Sequence, residues 1–330
     1  MSTGALDRLL AVLLVALLAS GLLTLRSGVP ATAPLYWLHG MLGGALLVAS
    51  VEKLRRSAPA AIRARRWRRL ALAALVTLFT AGALVGGFAW AASGRLLSIG
   101  PWTVLTLHVW AALALVPMLV LHLLPRRWRV LRAPAAGPRL SRRTLLATGA
   151  VAALGTLAWG AAGLLDLVQG GVRRFTGSRW LPEGEIPPPT TFYGEPAPAI
   201  DTDAWRLRVM GRVERTLELD AAALAALGTV DVDATLDCTS GWAMRTRWRG
   251  TPLAAVLREA GATPPTSHVR VRSVTGWLVD LAPHELEGAL LATEVAGQPL
   301  PRANGAPCRL VAPDRRGLDW IKWVATIEVA

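Results

Sequence analysis

Five long apolar runs fill the first half of the chain. Leu9–Leu25, Leu35–Val51, Leu70–Ala92, Trp102–Leu124 and Leu145–Leu165 contain no Lys, Arg, Asp or Glu and run 17, 17, 23, 23 and 21 residues. A helix needs about 20 apolar residues to cross a bilayer core. The second run extends to Pro34 at its start, and beyond Asp7 and Arg8 the first is preceded by Ala5–Leu6. A single such run reads equally well as a buried helix of a soluble protein. Five of them predict an all-α membrane bundle of five helices over residues 1–169.

The pattern then changes. Gly170–Ile200 is rich in Gly and Pro, including Pro187, Pro188 and Pro189, and reads as a linker and entry segment. Beyond it, residues 201–330 alternate apolar and polar positions over short stretches: Trp205–Val213, Ala234–Cys238, His268–Ser273 and Trp320–Val329. Helical patterns at Asp220–Leu227 and Pro252–Ala260 interrupt them. An α+β domain of about 130 residues, large enough for its own core, is expected there.

Charge sharpens this division. The net charge of +14 would suit a nucleic-acid partner, but residues 1–169 carry 18 basic and 3 acidic residues, and 170–330 carry 18 and 19. The whole excess therefore lies among the apolar runs, which excludes a nucleic-acid footprint. Loop 52–69 holds eight basic residues and loop 125–144 holds seven, whereas the alternate loops hold only Arg26 and Arg95. By the positive-inside rule this predicts a multi-pass cell-membrane protein with a cytoplasmic N-terminus and an extracytoplasmic C-terminal domain. The first run lacks a small-x-small cleavage site and is read as an anchor.

Three of the five histidines, His39, His108 and His122, fall in the runs. Ionisable residues inside spans are candidates for function. His39 and His108 lie at similar depth in two spans of the same direction, as bis-imidazole ligation of a b-type haem requires. His122 follows His108 by 14 residues, which puts both on one helix face ~21 Å apart. The alternative is that these rings hydrogen-bond between helices. The run from His108 to His122 resembles the histidine-bearing helix of small membrane cytochromes b, in which two histidines serve two haems. Glu52 and Lys53 stand where a second ligand for His122 would be needed, so one haem b held by His39 and His108 is expected.

The exported half carries the more specific signal. Cys238 ends a short apolar strand ahead of a Ser/Gly turn, which lets its sulfur face a cleft, and a thiolate is a soft ligand for a redox metal. The stretch from Cys238 through Trp242, Met244, Trp248, Gly250, Pro252 and Leu253 resembles the core motif of the sulfite oxidase family of molybdopterin enzymes. It is most similar to the branch of the periplasmic methionine sulfoxide reductase catalytic subunit. The run Asn304–Trp323 resembles the family's second signature. The resemblance implies that Cys238 ligates molybdenum beside the pterin dithiolene and is the catalytic centre. It further implies that Thr190, Tyr193, Gly194, Ser273, Asn304, Arg309, Trp320, Ile321 and Lys322 contact the cofactor. The family commonly has Asn where Thr190 stands, and the Arg/His-bearing segment of animal and plant sulfite oxidases is absent, which speaks against sulfite. Cys308 reads as a small buried apolar side chain, the alternative being a Cys238–Cys308 disulfide. His268 and His284 read as structural. Arg245, Arg247 and Arg249 read as a solvated strand face, with attraction of an anionic or sulfoxide substrate as the alternative.

Ser141-Arg142-Arg143-Thr144-Leu145-Leu146 resembles a twin-arginine export signal placed internally, although positive-inside anchoring also accounts for the two arginines. The expectation is a membrane-anchored molybdopterin oxidoreductase performing oxygen-atom transfer on a small-molecule or protein-bound substrate. Membrane lipid and the quinone pool or another electron carrier would be its partners. The alternatives are a membrane cytochrome whose exported domain docks a partner, and a binding protein without cofactor. Joint retention of Cys238, Asn304, Arg309 and Lys322 argues against the second.

Overall fold

The computed structural model describes residues 1–63, 67–123, 141–190, 194, 196–262 and 268–330. Two compact units form, Met1–Thr24 with Pro30–Arg179, and Leu25–Val29 with Trp180–Ala330.

The first unit is helical: α1 (Thr3–Thr24), α2 (Ala33–Arg63), α3 (Trp67–Ala92), α4 (Val104–Leu123) and α5 (Arg142–Val168). All five are long and apolar enough to cross a membrane. They leave Val12, Val15, Leu78, Val85 and Leu157 more than three-fifths exposed. A lipid-facing surface tolerates that, whereas water would penalise such a patch. Helix α3 packs along α4, α2 along α5 and α1 along α2. The α2–α5 contact is made by glycine. A Cβ on Gly44 would collide with the backbone of Gly155, and one on Gly40 with the Trp159 ring. Small residues four apart let membrane helices approach to backbone contact.

One expectation needs correction. The basic stretch 52–69 is not a loop throughout, because α2 continues to Arg63. Glu52 pairs with Arg55 and Arg56 at i+3 and i+4, which supports helix beyond the apolar run. The predicted loop at 125–144 lies mostly outside the described residues, and of it Arg142 and Arg143 open α5. The far end of α5 is fastened by Asp166, which is buried. It accepts the Gly94 N–H at 2.9 Å and pairs with Arg173 and Arg179.

The second unit is mixed α/β. Its elements are β1 (Leu207–Gly211), β2 (Leu217–Leu219), α6 (Ala221–Ala226), β3 (Val230–Asp237), β4 (Trp242–Pro252), α7 (Leu253–Glu259), β5 (Val269–Ser273) and β6 (Leu278–Leu281). They continue with β7 (Leu290–Val295), β8 (Gln298–Pro299), β9 (Arg309–Val311) and β10 (Val324–Val329). Asp220 caps α6 by accepting the Ala223 N–H. One sheet is built on β4, which pairs antiparallel with β3 and β7, and β7 carries β8 and β9. The other runs β2–β1–β10–β5–β6, with β10 parallel to β1 and the remaining pairs antiparallel. Strand β4 shows the period of two: Thr246, Trp248 and Gly250 face the core, while Arg245, Arg247 and Arg249 face out. The core joins both sheets through Leu207, Val209, Trp248, Val271, Leu291 and Ile327.

Candidate active site

The β3–β4 hairpin places Cys238. Its N–H donates to Trp242 O at 2.8 Å and its carbonyl accepts the Gly241 N–H at 2.9 Å, closing a tight turn over 238–241. Gly241 has φ +99°, which glycine adopts without strain. The turn opens onto a cleft lined by Thr190, Cys238, Ser273, Trp320, Ile321 and Lys322. Six sequence-predicted residues are thereby brought together from four separate stretches.

Around the sulfur the contacts are polar. Thr190 Oγ1 lies 3.2 Å from Cys238 Sγ, and the Ser240 N–H points to the same sulfur at 3.4 Å. Lys322 Nζ donates to Thr190 O at 2.9 Å and to Ala303 O at 2.8 Å, tying the entry segment to the second signature. Ser273 Oγ accepts the Thr275 N–H and contacts the Thr275 hydroxyl, so it shapes the β5–β6 turn at the rim.

Asn304 and Arg309 sit behind this wall and do not line the cleft. Asn304 Nδ2 donates to Pro187 O at 2.8 Å, and Arg309 Nη1 to Asn304 O at 2.9 Å. The Arg309 guanidinium lies over the Trp248 and Trp320 rings, 5.4 and 6.0 Å from their centroids. Burial pushes its pKa down to about 10, and its Nε–H has no acceptor among the described residues. A buried, incompletely satisfied cation close to a thiolate suits an anionic group. Soft sulfur, flanking N–H and hydroxyl donors and two cations fit a molybdenum–pterin group. Gly194 is exposed, and Tyr193 lies outside the described residues.

Sequence reasoning missed part of the lining. Thr239, Thr275, Trp277, Leu318 and Trp323 also line the cleft. The Thr239–Ser240 dipeptide was visible inside the cysteine motif. Trp277 carried no local signal, and it reaches the cleft by donating to Leu318 O at 3.1 Å. The arginine trio stays outside: Arg247 pairs with Asp233 and Arg249 with Asp231 across the β3–β4 ladder. Both cysteines are free, so Cys238 and Cys308 form no disulfide. Burial pushes the Cys308 thiol far up.

In the helical unit, His39 and His108 meet with ring centroids 6.1 Å apart and planes at 88°. His39 Nδ1 contacts Ser20 Oγ at 2.8 Å. His108 Nδ1 lies 2.6 Å from Ala83 O, an acceptor, so the proton is on Nδ1 and the lone pair is left on Nε2. His122 stands four turns further along α4 and does not join them.

A hairpin-borne cysteine in a cleft lined with hydroxyls, tryptophans and a lysine, backed by a buried arginine, defines a molybdenum-cofactor oxidoreductase domain. Residues 194–330 match the oxidoreductase molybdopterin binding domain. The chain is 33% identical to the protein-methionine-sulfoxide reductase catalytic subunit MsrP of Xanthomonas campestris pv. campestris, over 40% of this chain and 47% of that protein. It is 29% identical to the MsrP of Gluconobacter oxydans, over 38% and 46%. The chain thus spans about half the length of the curated relatives it matches. Among solved structures, the sulfane dehydrogenase SoxCD of Paracoccus pantotrophus aligns with a TM-score of 0.39 and 23% identity, over 40% of each chain.

Proposed function

We propose that this chain is a membrane-anchored molybdopterin-dependent oxidoreductase that transfers oxygen atoms at the extracytoplasmic face, reducing a sulfoxide-like substrate. His39 and His108 would hold a haem b, which would supply electron transfer from the quinone pool or another membrane carrier. The observation that carries this reading is the Cys238 sulfur, set in a cleft between Thr190 Oγ1 and the Ser240 N–H.

The molybdenum–pterin group supplies, when bound, the two-electron oxygen-atom exchange. The chain does the rest. Cys238 offers the thiolate, Lys322 and Arg309 offset anionic charge, and Trp277, Trp320 and Trp323 narrow the space open to water. The likeness to protein-methionine-sulfoxide reductase catalytic subunits supports the sulfoxide direction. Sidedness follows from the basic stretches around 52–69 and 125–144. Arg142 and Arg143 serve as a twin-arginine signal for the folded domain, and replacing both with Lys leaves the domain in the cytoplasm if they do.

Metal analysis and an optical spectrum of the purified full chain test the reading. Molybdenum together with a b-type haem spectrum is expected, and Cys238→Ser should abolish turnover. A folded protein free of molybdenum would overturn the assignment. Molybdenum without haem would remove the electron route alone.

A further inference from the structure

We infer that Arg316 is a positioning residue for the Cys238 sulfur, acting through the buried Asp237 carboxylate and the Cys238 carbonyl. This rests on the reading of Cys238 as the metal ligand.

Asp237 is the last residue of β3, and both it and Arg316 are at most 3% exposed. Arg316 Nη2 donates to Asp237 Oδ1 at 3.1 Å and to the Cys238 carbonyl at 3.0 Å. That carbonyl also accepts the Gly241 N–H, so two donors from distant parts of the chain hold one oxygen. The next residue closes the contact. A Cβ on Gly317 would lie 3.2 Å from the Cys238 Cα and from Asp237 O. The chain around 316–317 is thus seated on the backbone that aims the sulfur.

A buried ion pair is a weak source of net stability, because desolvation of both charges offsets their attraction. What it supplies is fixed geometry, and the guanidinium fork suits a task that needs two acceptors met at once. Arg315, its neighbour, faces elsewhere and pairs with Glu285 and Asp319. Adjacent arginines therefore have separable roles.

The full chain is compared with Asp237→Asn/Arg316→Gln, Arg316→Lys and Arg315→Gln. The double variant removes both charges together and leaves no lone buried ion. It should fold and bind molybdenum, yet show a broadened, shifted Mo(V) electron paramagnetic resonance signal. Its kcat for methionine sulfoxide should fall by roughly 10–100-fold with little change in KM, as loss of an orienting outer partner does at metal sites. Arg316→Lys should fall between it and the parent, and carries the same comparison if the double variant does not fold. Arg315→Gln should lower thermal stability and leave the signal unchanged. A molybdenum-loaded double variant with the parental line shape and kcat overturns the inference. Should the parent hold no molybdenum, the functional reading fails, and the clamp is tested on the thiol. Iodoacetamide should then alkylate Cys238 faster in the double variant, and an unchanged rate overturns the inference.

Discussion

Trp248 is the side chain on which the rear wall of the cleft depends. It is fully buried on β4, meets Trp320 edge-on with centroids 5.5 Å apart, and lies under the Arg309 guanidinium. Truncation to Ala removes a core aromatic, a change that costs about 3–5 kcal/mol. The edge-on pair is worth about 0.5–1.5 kcal/mol beyond area, and a desolvated cation over a ring about 2 kcal/mol. Both losses fall within the one truncation, so the total should sit near the top of the range, at about 5 kcal/mol. The second unit has roughly 150 residues. At that size 1 kcal/mol moves the midpoint by about 2–4 °C, so a fall of about 10–20 °C is expected. Trp248→Phe should behave differently. The Trp248 Nε1–H has no acceptor among the described residues. Removing an unsatisfied buried donor recovers about 1–3 kcal/mol, which offsets much of the lost ring volume. Limited proteolysis of the full chain across a temperature series, with C-terminal peptides read by mass spectrometry, measures both variants. A Trp248→Ala midpoint within about 2 °C of the parent, or Phe as damaging as Ala, would refute the reasoning.

Gly155→Leu should separate α2 from α5 and lower the yield and detergent stability of the helical unit, whereas Gly149→Leu, with open space around it, should not. Thermal aggregation of the two variants distinguishes them. Glu285 is held below its usual carboxylate range by the hydrogen bond from Arg315, whose Nη2 lies 2.7 Å away. A depressed acid contributes stability above its unfolded pKa and loses it as pH falls through the folded value. Glu285→Gln should therefore lower the midpoint at pH 7, with the gap to the parent closing as the pH falls below about 4. Cys308 is buried, with its thiol pushed far up. Native labelling of the cofactor-stripped protein should modify Cys238 alone, and two labels per folded chain would contradict that placement.

Much of the fold was legible because it depends on local periodicity. Apolar run length gives the five helices, and alternation gives β1, β3, β5 and β10 close to where the sequence puts them. The Arg245, Arg247 and Arg249 spacing marks β4. Asp220 announces α6 as its cap. The site cysteine was legible too, since Cys238 stands between a strand and a Ser/Gly turn. The helical continuation of α2 to Arg63 was not, because its polar residues obey helix geometry without contributing to an apolar run.

Period and composition record which face of an element is buried, and say nothing of what lies against it. Thr190 reaches the Cys238 sulfur across 48 residues and Arg316 reaches its carbonyl across 78. His39 and His108 come within 6.1 Å from different helices, and Gly44 meets Gly155 because neither carries a Cβ to keep two backbones apart. Asn304 and Arg309, alike in sequence to any cleft residue, are buried outside the cleft, with Arg309 against the Trp248 and Trp320 rings. The order of residues along the chain determined the elements, the charge asymmetry and the cleft cysteine. Packing alone decided which groups surround that cysteine, because long-range contacts leave no periodic trace.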